Sequence, residues 1–205
     1  KGQKKIQKEI EEIWHEISDR IYIKTLKDEK VVDKYFYYYM MASGKWKGAS
    51  QSTRYNEASS WEGLNKIIAK MTKPNGSLDH KELKKLYEEM KEYSIFFSMA
   101  VNPDSFDWPT ADSHLRDERT YLKILSQGGV KQHIPVYMAI AYACRNLSAK
   151  ARGEITSGFL KNWIYVHTRY NLMNELHAGI PDGFAAGKFH GKLQGKNGWI
   201  SARIH

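Results

Sequence analysis

The sequence predicts an all-α protein, an irregular bundle of six to seven helices around a buried apolar helix at about residues 134–147. Three observations carry this. Ile6, Ile10, Ile13, Trp14, Ile17 and Ile21 recur at the i, i+3, i+4, i+7 spacing of one helix face. No stretch alternates apolar and polar residues between hairpin turns, as strands would. From Ile134 to Cys144 there is no charged side chain, and Pro135 sits where its fixed φ and missing N–H suit a first helical turn. A bilayer needs about 20 apolar residues, so neighbouring helices must cover this short run, and no membrane partner is expected.

The chain has 205 residues and a formal net charge of +9 at pH 7. That length suits one domain, or one domain with an appendage. A helical domain is expected over 1–177 and a Gly/Lys-rich, partly irregular segment over 178–205. The single Cys144 excludes an internal disulfide and lies in the most apolar run, as an inert core thiol would in a reducing compartment. With no signal peptide or membrane segment in view, a cytoplasmic location is expected. The chain opens on Lys1 and enters a helical pattern without a cap, so an excerpt of a longer polypeptide is expected.

The isoleucine stripe predicts a first helix over 3–26, its opposite face filled by interleaved Lys and Glu. Val32, Tyr35, Phe36, Tyr39 and Met40 predict a second over about 31–43. The run Tyr35-Phe36-Tyr37-Tyr38-Tyr39 is one that could stack nucleic-acid bases. Its helical spacing, without basic residues between the rings, favours core packing. A polar loop follows over 44–58, and Ser59 with Glu62 forms a capping box for a short helix bearing Leu64, Ile67, Ile68 and Met71.

Lys73-Pro74-Asn75-Gly76-Ser77 reads as a turn. Asp79 with Glu82 then starts a helix whose inner face holds Leu83, Leu86, Tyr87, Met90, Ser94 and Phe97, ending before Pro103. After a loop over 102–111, a helix over about 112–126 uses Leu115, Leu122 and Leu125 and stops at Gly128-Gly129. The buried helix comes next, then a basic turn around Lys150 to Gly153, and a last helix over about 155–177. Beyond it Gly179, Gly183, Gly187, Gly191 and Gly195 recur every four residues. Each glycine costs a helix about 1 kcal/mol relative to Ala, so a largely irregular segment is expected.

Reactive groups are sparse. No His-Glu-x-x-His pattern exists, and one cysteine cannot supply a Cys/His zinc site. His15-Glu16 with Asp19 lies on the charged side of the first helix, where a solvent-facing histidine is the simpler account. Asp112, His114, Asp117 and Glu118 are the densest set of acids, bases and metal ligands. Asp112 fits a helix N-cap, and Asp117 and Glu118 alternate with Arg116 and Arg119, so capping and ion pairing are favoured over catalysis. Gly128-Gly129 lacks the Lys-Ser/Thr of a phosphate loop, and no Gly-x-Ser-x-Gly elbow is present.

Charge is more telling. From Arg145 onward nine basic residues face three acidic ones, which places +6 of the +9 in the final third. Arg145, Lys150, Arg152, Lys161, Arg169, Lys188, Lys192 and Lys196 are therefore the candidate nucleic-acid contacts, each phosphate neutralised releasing counterion. Solubility, or an acidic surface on another domain, would use the same excess.

The order of elements resembles the helical region of GmrSD-type restriction proteins. The matching pieces are the Leu/Tyr-rich helix from Leu83 to Phe97, the leucine helix with Leu122, Ile124 and Leu125 before Gly128-Gly129, and the Pro-started run Ile134-Pro135-Val136-Tyr137-Met138-Ala139. Trp163 followed by Tyr165-Val166-His167-Thr168-Arg169-Tyr170 is similar as well, and so is Tyr35-Phe36-Tyr37-Tyr38 followed by a polar loop and Trp61. The resemblance spans roughly residues 10 to 178. Proteins of that family couple a nucleotide-hydrolysing domain, marked by Asp-Gly-Gln-Gln-Arg, to a His-Asn-His nuclease, and restrict modified foreign DNA. Neither mark is present, and Asp182-Gly183 runs on into Phe184. No catalytic residue carries over.

What the resemblance implies is a helical scaffold or coupling segment of a bacterial modification-dependent phage-defence protein. Its expected partners are DNA and other domains of the same parent; no cofactor or metal is expected. Two alternatives remain beside it: a stand-alone protein-interaction module, and a small metal-dependent nuclease or hydrolase built on Asp112, His114, Asp117 and Glu118.

Overall fold

In the computed structural model, which describes residues 2–24, 30–45, 57–73, 76–108 and 115–176 with 194–195 and 198–199, the isoleucine stripe forms α1 (Gly2–Lys24). Ile17 and Ile21 are wholly buried, Ile10 and Ile13 nearly so, and the helix packs on α4 (His80–Val101). Polar clamps flank that seam: Lys84 reaches Glu9 at 2.6 Å and Lys91 reaches Glu16 at 2.5 Å. Arg20 Nη1 donates to Ser94 Oγ at 2.8 Å from within the interface.

Helix α2 (Val31–Ala42) buries Val31, Tyr35, Phe36, Tyr39 and Met40, so three rings of its aromatic run are core at helical spacing, while Tyr37 and Tyr38 are half-buried. The Tyr35 hydroxyl donates to the Met90 carbonyl of α4, and Trp14 of α1 stacks on Phe36 with centroids 5.9 Å apart. Helix α3 (Glu57–Lys70) packs on α2. It begins two residues before Ser59, which therefore lies inside the helix rather than at the expected capping position.

The turn after α3 closes through a Thr72–Leu78 bridge, with Gly76 at φ 77°, a left-handed conformation that glycine adopts without strain. Asp79 then caps α4 as expected, Oδ1 accepting from the backbone N–H of Lys81 at 3.0 Å and of Glu82 at 3.3 Å. The helix stops at Asn102, ahead of Pro103.

Helix α5 (Arg116–Gln127) ends where Gly129 takes φ 68° and the Val130 N–H returns to the Leu125 carbonyl. The expected cap Asp112, with His114, lies outside the described residues. Helix α6 (His133–Ala143) is the apolar rod, with Pro135 in its first turn and Ile134, Tyr137, Met138 and Ala141 buried. It packs on α2 and α4 and ends sooner than the expected 147, because Cys144 to Leu147 turn the chain towards α7 (Ala149–Leu176). The basic turn expected at Lys150 to Gly153 is instead the opening of α7. Ser148 starts it, its Oγ accepting from the Ala151 N–H at 3.3 Å.

Among the described residues there are thus seven helices. The chain divides into two compact units, Lys1–Lys161 and Asn162–His205. The first holds α1 to α6 and the start of α7, with α4 and α6 at its centre. The second holds the rest of α7 and an antiparallel pairing of β1 (Gln194–Gly195) with β2 (Gly198–Trp199). The composition change at 178, where the sequence reading divides the chain, follows the end of α7. No helix among the described residues is long and apolar enough to cross a membrane.

Candidate functional site

The basic residues of the final third have different fates. Arg145 is committed locally: Nε pairs with Glu92 at 2.9 Å, Nη1 donates to the Tyr142 carbonyl at 3.0 Å, and the guanidinium lies 3.9 Å over the Tyr142 ring. That ring stacks on Tyr93 of α4 at 4.2 Å, so the cation finishes a seam between α4 and α6. Arg152 turns partly inward; its Nε is sealed from solvent, and its charge acts on the phenol of Tyr137.

Lys150 and Lys161 remain. Both are exposed, and among the described residues no ion pair is seen for either. Eleven residues of helix bring them back to within about 20° of one face, about 16 Å apart along the axis. Arg169 belongs to the second unit, its guanidinium 5.0 Å from the Tyr165 ring. Lys188, Lys192 and Lys196 lie outside the described residues.

The acidic set separates. Asp117 is exposed on α5, whereas Glu118 has no accessible surface and accepts from the Tyr137 hydroxyl at 2.7 Å. The Met99 sulfur also lies 3.8 Å from that hydroxyl, and His133, one turn before Tyr137, is buried too. Burial first, and the Glu118 charge second, push the Tyr137 phenol far above its ordinary range. Glu118, expected from its neighbours Arg116 and Arg119 to cap or to pair with a cation, thus sits inside the bundle on a phenol. Its signal was present in the sequence, since Glu118 occupies the i+3 place of the stripe Leu115, Leu122, Leu125 and must face inward with it.

A second polar knot centres on Glu89 of α4. Its carboxylate accepts from Tyr39 at 3.1 Å and pairs with Lys45, whose Nζ is 2.6 Å from Oε2. Both knots join helices inside the bundle, and their acids are spent on phenols and cations rather than facing a substrate. No three His, Cys, Asp or Glu among the described residues are grouped to hold a metal. His15 of the first helix is exposed, as its place on the charged side implies.

One open cleft of about 400 Å³ lies between the end of α3 and the start of α4, lined by Ile67, Met71, Lys70, Lys73, Asp79 and Glu82. Its acids have other work, Asp79 as the α4 cap with Lys73 at 3.5 Å and Glu82 bridging to Lys85 at 2.6 Å. Among the described residues the arrangement supplies two exposed cations on α7, and polar joints that hold helices in register. Comparison with family models, with curated proteins and with solved structures finds no match to this chain.

Proposed function

We propose that the chain is a non-catalytic helical scaffold of a bacterial, cytoplasmic, GmrSD-like DNA restriction protein, coupling other domains of its parent and touching duplex DNA through α7. The observation that carries the DNA contact is the pair Lys150 and Lys161, both exposed, on one helix face, and free of carboxylate partners among the described residues. Two phosphates neutralised there add about 1.8 to the salt slope of binding. The scaffold role draws support from the way acids in the bundle are used: Glu118 and Glu89 bind phenols and a lysine across helices. A metal-dependent hydrolase has less support, because Asp117 is exposed on α5 while Glu118 is buried against Tyr137.

Titrating the chain with a labelled duplex at rising salt tests this. Affinity is expected to fall steeply with salt, and the Lys150→Glu/Lys161→Glu variant to lose most of it with a shallower slope. Affinity indifferent to both salt and charge reversal would remove the DNA contact.

A further inference from the structure

The chain carries two aromatic runs that the structure treats in opposite ways. Tyr35 and Tyr39 are wholly buried, whereas on α7 Tyr165 is 57 % exposed, Val166 65 % and Tyr170 38 %. Asn162 and Arg169 are exposed beside them, and these five positions share one face of the helix within about 140° of arc. A ring left in water on an ordered helix, as Tyr165 is for more than half its surface, forgoes burial worth roughly 25 cal/mol per Å² of apolar surface.

The chemistry of the face says what it takes up. From Ile155 to Asn174 the sequence has no Asp or Glu, unlike the Lys/Glu mixture of α1. Arg169 lies 5.0 Å over the Tyr165 ring, so the face presents guanidinium and phenol planes together. A helix that docks into a protein groove repeats apolar anchors at i, i+3, i+4 and i+7. Here the first and last places of that repeat, 162 and 169, are Asn and Arg. Aromatic planes interleaved with cation and free of carboxylate suit a polyanion whose bases are unstacked. In a duplex the bases already stack on each other, and a ring gains little from the backbone.

We propose that the Tyr165, Arg169 and Tyr170 face of α7 is a stacking platform for the unpaired bases of a single-stranded nucleic acid. The proposal rests on the nucleic-acid reading above and refines it: the lysines of the first unit take duplex phosphates, and this face of the second takes bases where a strand is open.

The test is anisotropy of the full chain with a labelled mixed-sequence single strand and with the matching duplex, helix content being checked by circular dichroism. Tyr165→Ala and Tyr170→Ala are expected to weaken single-strand binding by about tenfold each. Tyr165→Phe is expected to keep it, since stacking needs the ring and not the hydroxyl. The ring variants should leave duplex binding unchanged, while Lys150→Glu/Lys161→Glu lowers it. Single-strand affinity unmoved by the alanine variants, or lost equally with Phe, overturns the platform while leaving the duplex contact standing. Binding to neither probe sinks both readings. A chain that binds no oligonucleotide but self-associates in sedimentation, and is dispersed by Val166→Asp, makes this face a protein surface instead.

Discussion

The hydroxyl of Tyr137 and the carboxylate of Glu118 meet at 2.7 Å where neither side chain has accessible surface. A carboxylate in such a place is costly unless its oxygens are engaged. The phenol engages one oxygen, and the positive charge of Arg152 acts on the same spot. Tyr137→Phe keeps the packing but deletes the donor to Oε1, and hydrogen bonds to charged groups contribute about 1.5–3 kcal/mol. A loss of about that size is expected in urea denaturation. Tyr35→Phe supplies the comparison. Its hydroxyl donates to the Met90 carbonyl, an oxygen that α4 already uses in its own ladder, so about 1 kcal/mol is expected. Equal losses for the two variants would show that the charge on Glu118 does not set the cost.

At the scale of elements, how much the sequence disclosed depends on whether the cause was local. Periodicity is local, so the stripes of α1, α2 and α4 were legible, and so were the uncharged run of α6, the Asp79 cap and the Gly128-Gly129 stop. Ser148 is as local a signal as Asp79, but it stands beside Lys150, Arg152 and Gly153, a composition that suits a turn as well as the first turn of α7. The use made of Arg145 was legible only in its local half, the Tyr142 ring and carbonyl three residues back. Its other partner is Glu92 beside Tyr93 on α4, and nothing near Arg145 in sequence announces a carboxylate on a separate helix. The same holds for the site: a charge excess is visible in composition, but which cations stay free is decided by packing. For α1 the packing has a direct test. Ile17 is wholly buried against α4, so Ile17→Ala should cost about 2–5 kcal/mol by transfer and cavity together. Lys8→Ala, which removes the exposed 3.8 Å pair with Glu12, should leave the denaturation midpoint unmoved. A midpoint more sensitive to Lys8 than to Ile17 would mean that α1 is not held by its isoleucine face.

Across the molecule the core of the first unit is phenolic to an unusual degree, and this gives it a pH dependence opposite to that of a fold held by surface carboxylates. Tyr35, Tyr39, Tyr93 and Tyr137 are all buried. Burial is the first cause that raises each of them; the second is a nearby carboxylate, Glu89 for Tyr35, Tyr39 and Tyr93, and Glu118 for Tyr137. A raised phenol keeps its proton in the folded chain at a pH where the unfolded chain has released it. The folded state then binds more protons, so stability is complete below about pH 10 and falls as pH rises beyond it. Each such group removes up to about 1.4 kcal/mol per pH unit, and four together about 5. Against a typical stability of roughly 5–15 kcal/mol, the bundle should open within about one to three units above pH 10. Alkaline titration followed by tyrosinate absorbance and far-ultraviolet circular dichroism should show the four core phenols ionising together, in step with the loss of helix. Gradual ionisation of all the tyrosines with the helical signal intact would mean that water reaches these rings, and that the seams among α2, α4, α5 and α6 are not closed.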